Sequence, residues 1–193
     1  MTITRARTRH TDEGFTLPEV VMYSMLLTIV LAVAASIMIS GSIAERTVRT
    51  VTGASTAAQL AADSIETGIR NSSAFVIVEP TAGTQMLAAR VAQGQDLLVW
   101  ACASWYWSPS VDDGSIWYKT SATAIAAPTS NADLSTWTRL VDEVTPSGGA
   151  NVFTLSGDHL AFSFEKAAGN DPPVQVSSSS TSRAEIEEST PCF

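Results

Sequence analysis

The spacing of apolar and polar residues changes character twice along this chain, and each change marks a structural boundary. From Val20 to Ala44 there are 25 residues without a charge, enough for a helix rising 1.5 Å per residue to cross the hydrocarbon core of a bilayer. Glu19 stands at the head of that run. Farther on, Val51, Ala54, Ala58, Ala61 or Ala62, Ile65 and Ile69 recur every three or four residues, leaving Glu45, Arg46, Arg49, Asp63, Glu66 and Arg70 for the other faces. That period is helical and amphipathic. The two stretches predict one helix from Phe15 to about Arg70, about 80 Å long. Gly41, Gly53 and Gly68 each weaken it by about 1 kcal/mol relative to alanine, and Asn71-Ser72-Ser73 ends it.

Beyond Asn71 the apolar residues gather in short β-rich runs: Ala74 to Val78, Asp96 to Cys102, Ser115 to Thr120, Trp137 to Val144, Asn151 to Leu155, His159 to Phe164 and Val174 to Ser177. Gly, Pro, Asn and Asp punctuate them. Gln85 to Arg90 fits either a helical turn or a further strand. Strands that follow one long helix, with no further helices between them, predict an α+β fold with an antiparallel sheet packed on that helix. The expected divisions are residues 1–14 as a leader, 15–43 as an apolar half-helix, 44–70 as an amphipathic half-helix and 71–193 as a β-rich domain.

Charge sharpens this division. The chain of 193 residues carries a net charge of −8, and three of its eleven basic residues, Arg5, Arg7 and Arg9, precede Gly14. After Gly14, eight Lys and Arg face seventeen Asp and Glu, a net of −9. Such a surface repels phosphate backbones, so no nucleic-acid partner is expected. Arginines beside an apolar span hold their end in the cytoplasm by the positive-inside rule, so the β-rich part is expected to cross the inner membrane. Both cysteines, Cys102 and Cys192, lie in that exported part, where a disulfide between them is the default expectation. In the chain-entropy model, closing so long a loop contributes roughly 4 to 5 kcal/mol; two free thiols are the alternative.

Three fates compete for the N-terminal segment. Ala32-Val33-Ala34 supplies a signal-peptidase-like site that would leave a mature terminus at Ala35. Against it, the uncharged run continues about ten residues further, and Glu19 suits a signal core poorly. A plain uncleaved anchor explains the length and leaves the acid without a role. The third fate rests on Gly14-Phe15-Thr16-Leu17-Pro18-Glu19 followed by the apolar run.

This stretch resembles the N-terminus shared by type IV pilins and the pseudopilins of type II secretion. The resemblance implies cutting by a prepilin peptidase between Gly14 and Phe15, N-methylation of Phe15, and a filament assembled from this and other pilin or pseudopilin subunits. It also implies that Glu19 pairs with the N-terminal amine of a neighbouring subunit. Asp12 and Glu13 stand where the family often has a basic residue, and Pro18 where many major subunits carry isoleucine. Proline suits a first helical turn, where its missing N–H would be unpaired anyway. A capping box, Thr16-x-x-Glu19, is the structural alternative for the acid. The order of β-rich runs between residues 70 and 180 loosely resembles the W-type minor pilins and J-type minor pseudopilins.

The remaining candidates for chemistry are few. Trp100, Trp105, Tyr106, Trp107, Trp117 and Tyr118 form an aromatic region. If Trp105, Tyr106 and Trp107 lie on a strand-to-loop excursion, some face solvent and offer a binding surface; otherwise they are core beside Cys102. That surface carries the alternative function, a membrane-anchored or secreted binding protein. Asp112-Asp113-Gly114 and Gly169-Asn170-Asp171 lack the spaced acids of a calcium loop and read as solvated turns. Gly157-Asp158-His159 reads as a hairpin turn, since His159 and Asp158 have no nucleophile motif near them. No catalytic residues, metal, cofactor or small-molecule substrate are expected, and the protein is not expected to be an enzyme. Ser177 to Ser182 and the acidic Glu185 to Glu188 read as a flexible tail.

Overall fold

In the computed structural model, residues 14–93, 99–149, 151–157, 159–182 and 192–193 are described. Residues 1–13 of the leader, Asp96 to Leu98, Asp158 and the acidic segment at Glu185 to Glu188 lie outside them. The chain divides into two units, Met1–Arg46 and Thr47–Phe193. The long helix α1, Leu17–Arg70, supplies the described part of the first unit and the opening element of the second. Its start follows from Thr16, whose carbonyl accepts the amides of Glu19 and Val20 at 3.0 and 3.2 Å, and from Pro18 in the first turn. This is the long helix that the two apolar periods predict.

In the second unit the amphipathic stripe is the side of α1 that is buried. Ala54, Ala58, Ala61, Ala62, Ile65 and Ile69 lose contact with solvent, and Glu66 and Arg70 pair with each other at 2.9 Å beside it. The strands β1 (Ser72–Val78), β2 (Gln85–Gln93), β3 (Val99–Ser108), β4 (Ser115–Ser121) and β5 (Thr138–Val141) form an antiparallel sheet in chain order. The region from Gln85 is thus strand. A second sheet is built on β8 (His159–Ala168): β6 (Val144–Pro146) and β7 (Phe153–Ser156) pair with it, as does β9 (Asp171–Thr181). The domain is α+β with antiparallel sheets, as expected, but there are two sheets where one was anticipated.

The run Trp137 to Val144 is where the two sheets part. Sequence alone reads it as one strand; it is split between β5 and β6 by a corner at Asp142-Glu143, with Glu143 at φ +47°. The corner rests on the turn at 112–114. Glu143 N–H donates to Asp112 O at 3.1 Å and Val144 N–H to Gly114 O at 2.9 Å. A Cβ on Gly114 would come within 1.9 Å of Val144 O, so only glycine fits there. The same two-sheet arrangement gives Gln85 its role. Its buried side chain accepts from the N–H groups of Val152 and Phe153 at 2.7 and 2.9 Å and donates to Phe153 O at 3.0 Å. One amide thereby ties β2 to β7, with the polar satisfaction that a buried group requires.

The core lies among α1 and the two sheets: Ile65 and Ile69 meet Leu87, Trp105 and Ile116 from one sheet and Leu160, Phe162 and Phe164 from the other. Trp105 is the residue most closely fitted to the helix. Its indole N–H donates to Ser64 Oγ at 3.0 Å, and a Cβ on Gly68 would stand 2.2 Å from Trp105 Cη2. Gly68 is therefore the site of a close approach, and its cost in helix propensity is offset by packing. The expected disulfide is present between Cys102 and Cys192, 90 residues apart in sequence, and fixes the chain's end to β3. Ser177 to Thr181 are part of β9 and not of a flexible tail, with Ser180 buried and the hydroxyls of Ser178 and Ser180 hydrogen-bonded to Glu66.

Gly68→Ala should reverse the usual helix rule. Propensity alone favours alanine by about 1 kcal/mol, whereas overpacking against Trp105 should leave the variant less stable by about 1–3 kcal/mol. Gly53→Ala is the matched control, because its added methyl meets nothing within 4 Å. Urea denaturation of the two variants should give shifts of opposite sign.

Candidate functional site

Of the positions that sequence marks as functional, Gly14, Phe15 and Glu19 come together at the head of α1, in the first unit. Phe15 and Leu17 are exposed, as is nearly every apolar side chain from there to Val48. Glu19 is half-buried among exposed neighbours. Its carboxylate does not form the capping box, which would turn it back to the amide of Thr16. Instead the Tyr23 hydroxyl donates to Glu19 Oε1 at 3.2 Å, an i,i+4 contact along one helix face. The Tyr23 ring also meets the Phe15 ring edge to face, with centroids 6.5 Å apart and planes at 84°. Tyr23 was not singled out by sequence, although a lone aromatic hydroxyl four residues after the acid is a readable signal. Along this stretch α1 is long and apolar enough to cross a membrane.

The middle of the aromatic region is core. Trp105, Tyr106 and Trp107 are 1%, 5% and 4% exposed, so they form no binding surface and the strand-to-loop excursion does not occur. All three lie within β3, the middle strand of five, which is covered on both faces. Trp105 and Trp107 point to the main core, while Tyr106 packs with Met86, Leu134 and Trp137 in a smaller cluster on the other side. Three consecutive aromatics can all be buried only in such a doubly covered strand. Trp100 remains partly exposed, with the Arg90 guanidinium 4.5 Å from its ring centroid.

The acidic turns are occupied structurally. Asp112 pairs with Arg139 at 2.5 Å, and among the described residues no group of three His, Cys, Asp or Glu side chains is placed to hold a metal. Gly157 and Gly169, at φ +63° and +64°, begin two-residue connections, since Ser156 pairs with His159 and Ala168 with Asp171. The hairpin at Gly157 is as read from sequence, and the turn at Gly169 joins β8 to β9. His159 opens β8, exposed.

The most developed charge cluster braces the corner between the sheets. Lys166, buried on β8, reaches Glu143 at 2.7 Å and Asp142 at 3.0 Å, and Arg139 stands 3.6 Å from Asp142. Burial pulls the Lys166 ammonium down, but its hydrogen bonds to Glu143 and Asp142 outweigh that and hold its pKa above the ordinary 10.5. The hydrogen bond from Lys166 holds the Asp142 carboxyl below its ordinary 3.8, against burial and with help from the charges of Lys166 and Arg139. The arrangement neutralises charge and offers no nucleophile or open ligand position.

Comparison with protein-family models, characterised proteins and solved structures finds no match.

A depressed carboxyl pKa adds stability above its unfolded value, which is lost as pH falls through the folded value. A raised ammonium pKa adds stability below its unfolded value, which is lost as pH rises through the folded one. From the directions for Asp142 and Lys166, the brace should contribute fully between about pH 4 and 10. Because the acids are partly solvated, Lys166→Met should cost only about 1 kcal/mol in that window, or about 2–4 °C in Tm. Melting curves across the pH range should show the difference shrinking at both extremes.

Proposed function

We propose that this chain is a minor subunit of a type IV pilus or of a type II secretion-like pseudopilus. Its role is structural and not catalytic. On this reading it is made as a precursor with its N-terminus in the cytoplasm and its β-rich domain across the inner membrane. A prepilin peptidase cuts between Gly14 and Phe15, Phe15 is N-methylated, and residues 15–43 anchor the mature subunit until it joins other pilin or pseudopilin subunits.

The observation that carries the reading is Glu19 at the head of a helix whose apolar side chains from Leu17 to Val48 are exposed among the described residues. An acid at membrane depth costs about 2.5–3.5 kcal/mol on insertion scales. Cleavage would create a cationic partner for it, the α-amine of a neighbouring Phe15. The later half of α1 serves another purpose, because its buried stripe seats both sheets. A subunit drawn into a filament needs both. Burial of Trp105, Tyr106 and Trp107 removes the surface on which the binding-protein reading depended.

The mass of the mature N-terminus from envelope fractions tests the processing. N-methyl-Phe15 is expected; a terminus at Ala35 would mean ordinary secretion and would overturn the proposal. Glu19→Ala tests the assembly link separately. Processing should continue while the filament-associated fraction falls by about tenfold or more, since a pair that offsets half of the insertion cost changes an equilibrium by that factor. Undiminished assembly would refute the pairing of Glu19.

A further inference from the structure

We infer that Tyr23 is a positioning residue for Glu19: its hydroxyl holds the carboxylate on the helix face from which it pairs with an incoming subunit's amine. The inference rests on the filament reading above and assigns a role to a residue that the motif leaves unassigned.

Two contacts converge on Tyr23. Its hydroxyl donates to Glu19 Oε1 at 3.2 Å, and its ring packs edge to face on Phe15 at 6.5 Å. It therefore touches both groups that assembly would use, the acid and the residue that becomes the new terminus. Before cleavage the nitrogen of Phe15 is locked in a peptide bond, and no amine exists to satisfy the acid. In apolar surroundings a carboxylate then needs a donor on its own helix. At i+4 on the same helix, Tyr23 supplies one that needs no other subunit. Tyrosine also suits the task chemically. A lysine at the same position would neutralise Glu19 within its own subunit and compete with the incoming amine. A neutral hydroxyl leaves the charge in place, so the acid keeps the stronger charge-assisted bond for its neighbour.

Tyr23→Phe removes the hydroxyl and keeps the ring on Phe15, so it isolates this contact. The experiment uses the full-length chain in its own envelope and reads the share of subunit in sheared filaments for wild type, Tyr23→Phe, Glu19→Gln and the double variant. Tyr23→Phe should lower assembly about three- to tenfold, with processing unchanged, and should add nothing when Glu19→Gln is already present. An equal loss in both backgrounds would mean that Tyr23 acts through packing alone and would overturn the inference, as would no loss at all. A second arm does not depend on filaments. In lipid vesicles, the infrared carboxylate bands of 13C-Glu-labelled chain, less those of Glu19→Gln, isolate Glu19. Tyr23→Phe should shift the isolated band, and an unmoved band would refute the contact. A mature terminus other than N-methyl-Phe15 would overturn the assembly role and the filament reading together, while the infrared arm would still report on the contact itself.

Discussion

The fit of Trp105 onto α1 is the constraint on which the β-rich unit depends. An indole needs a flat bed, and Gly68 with Ser64 provides it, one by having no side chain and the other by accepting the indole N–H. Because Trp105 sits in the central strand, fixing it fixes β3. The register of β2 and β4 on β3 then places Leu87 and Ile116 around the same helical stripe. A slip by one residue would turn Tyr106 toward the helix and the tryptophans away from it. The glycine that weakens α1 locally is thus the position at which helix and sheet are locked.

The second sheet is joined to the first by polar links. Gln85 occupies backbone groups of Val152 and Phe153 as a neighbouring strand would, and Lys166 spans the corner where β5 gives way to β6. Gln85 and Lys166 are both buried with their partners present; losing the Gln85 amide would orphan buried backbone groups, whereas the solvated acids around Lys166 keep the loss there small. The disulfide ties Cys192 to β3 and acts by limiting the freedom of the unfolded chain instead of joining the sheets.

Periodicity made the helix and its buried stripe legible. Ala54, Ala58, Ala61, Ala62, Ile65 and Ile69 were readable because small and branched apolar residues recur at helical spacing among charges, and the cysteine pair because only two were available. Three features were hidden for physical reasons. Ser177 to Thr181 contains one residue type over most of its length, so no alternation of polarity betrays the strand, although Ser178 and Ser180 turn inward. The corner at Asp142-Glu143 was masked because its acids are satisfied by Lys166 and Arg139, far away in sequence or across the turn. Trp105-Tyr106-Trp107 breaks the half-buried strand pattern because Leu134 and Trp137, in and just after a short 3-10 helix at Asp133–Thr136, cover the second face. At the head of α1, Gly14, Phe15 and Glu19 were marked by type and order, but the contact with Tyr23 depends on side-chain direction.

One helix therefore meets two solvents. Over Ala54 to Ile69 its apolar side chains are few, small and matched to a protein core. From Leu17 to Val48 they are numerous, large and uncovered on all sides, and a stripe facing one core would not be apolar all round. An exposed apolar surface of that extent is costly in water, and the helix is long and apolar enough to cross a membrane. Lipid alone would be served by any apolar sequence and would select against Glu19. On the proposed reading, a neighbouring subunit that supplies a cation would account for both the apolar face and the acid, and Tyr23 would keep that acid satisfied until the cation arrives.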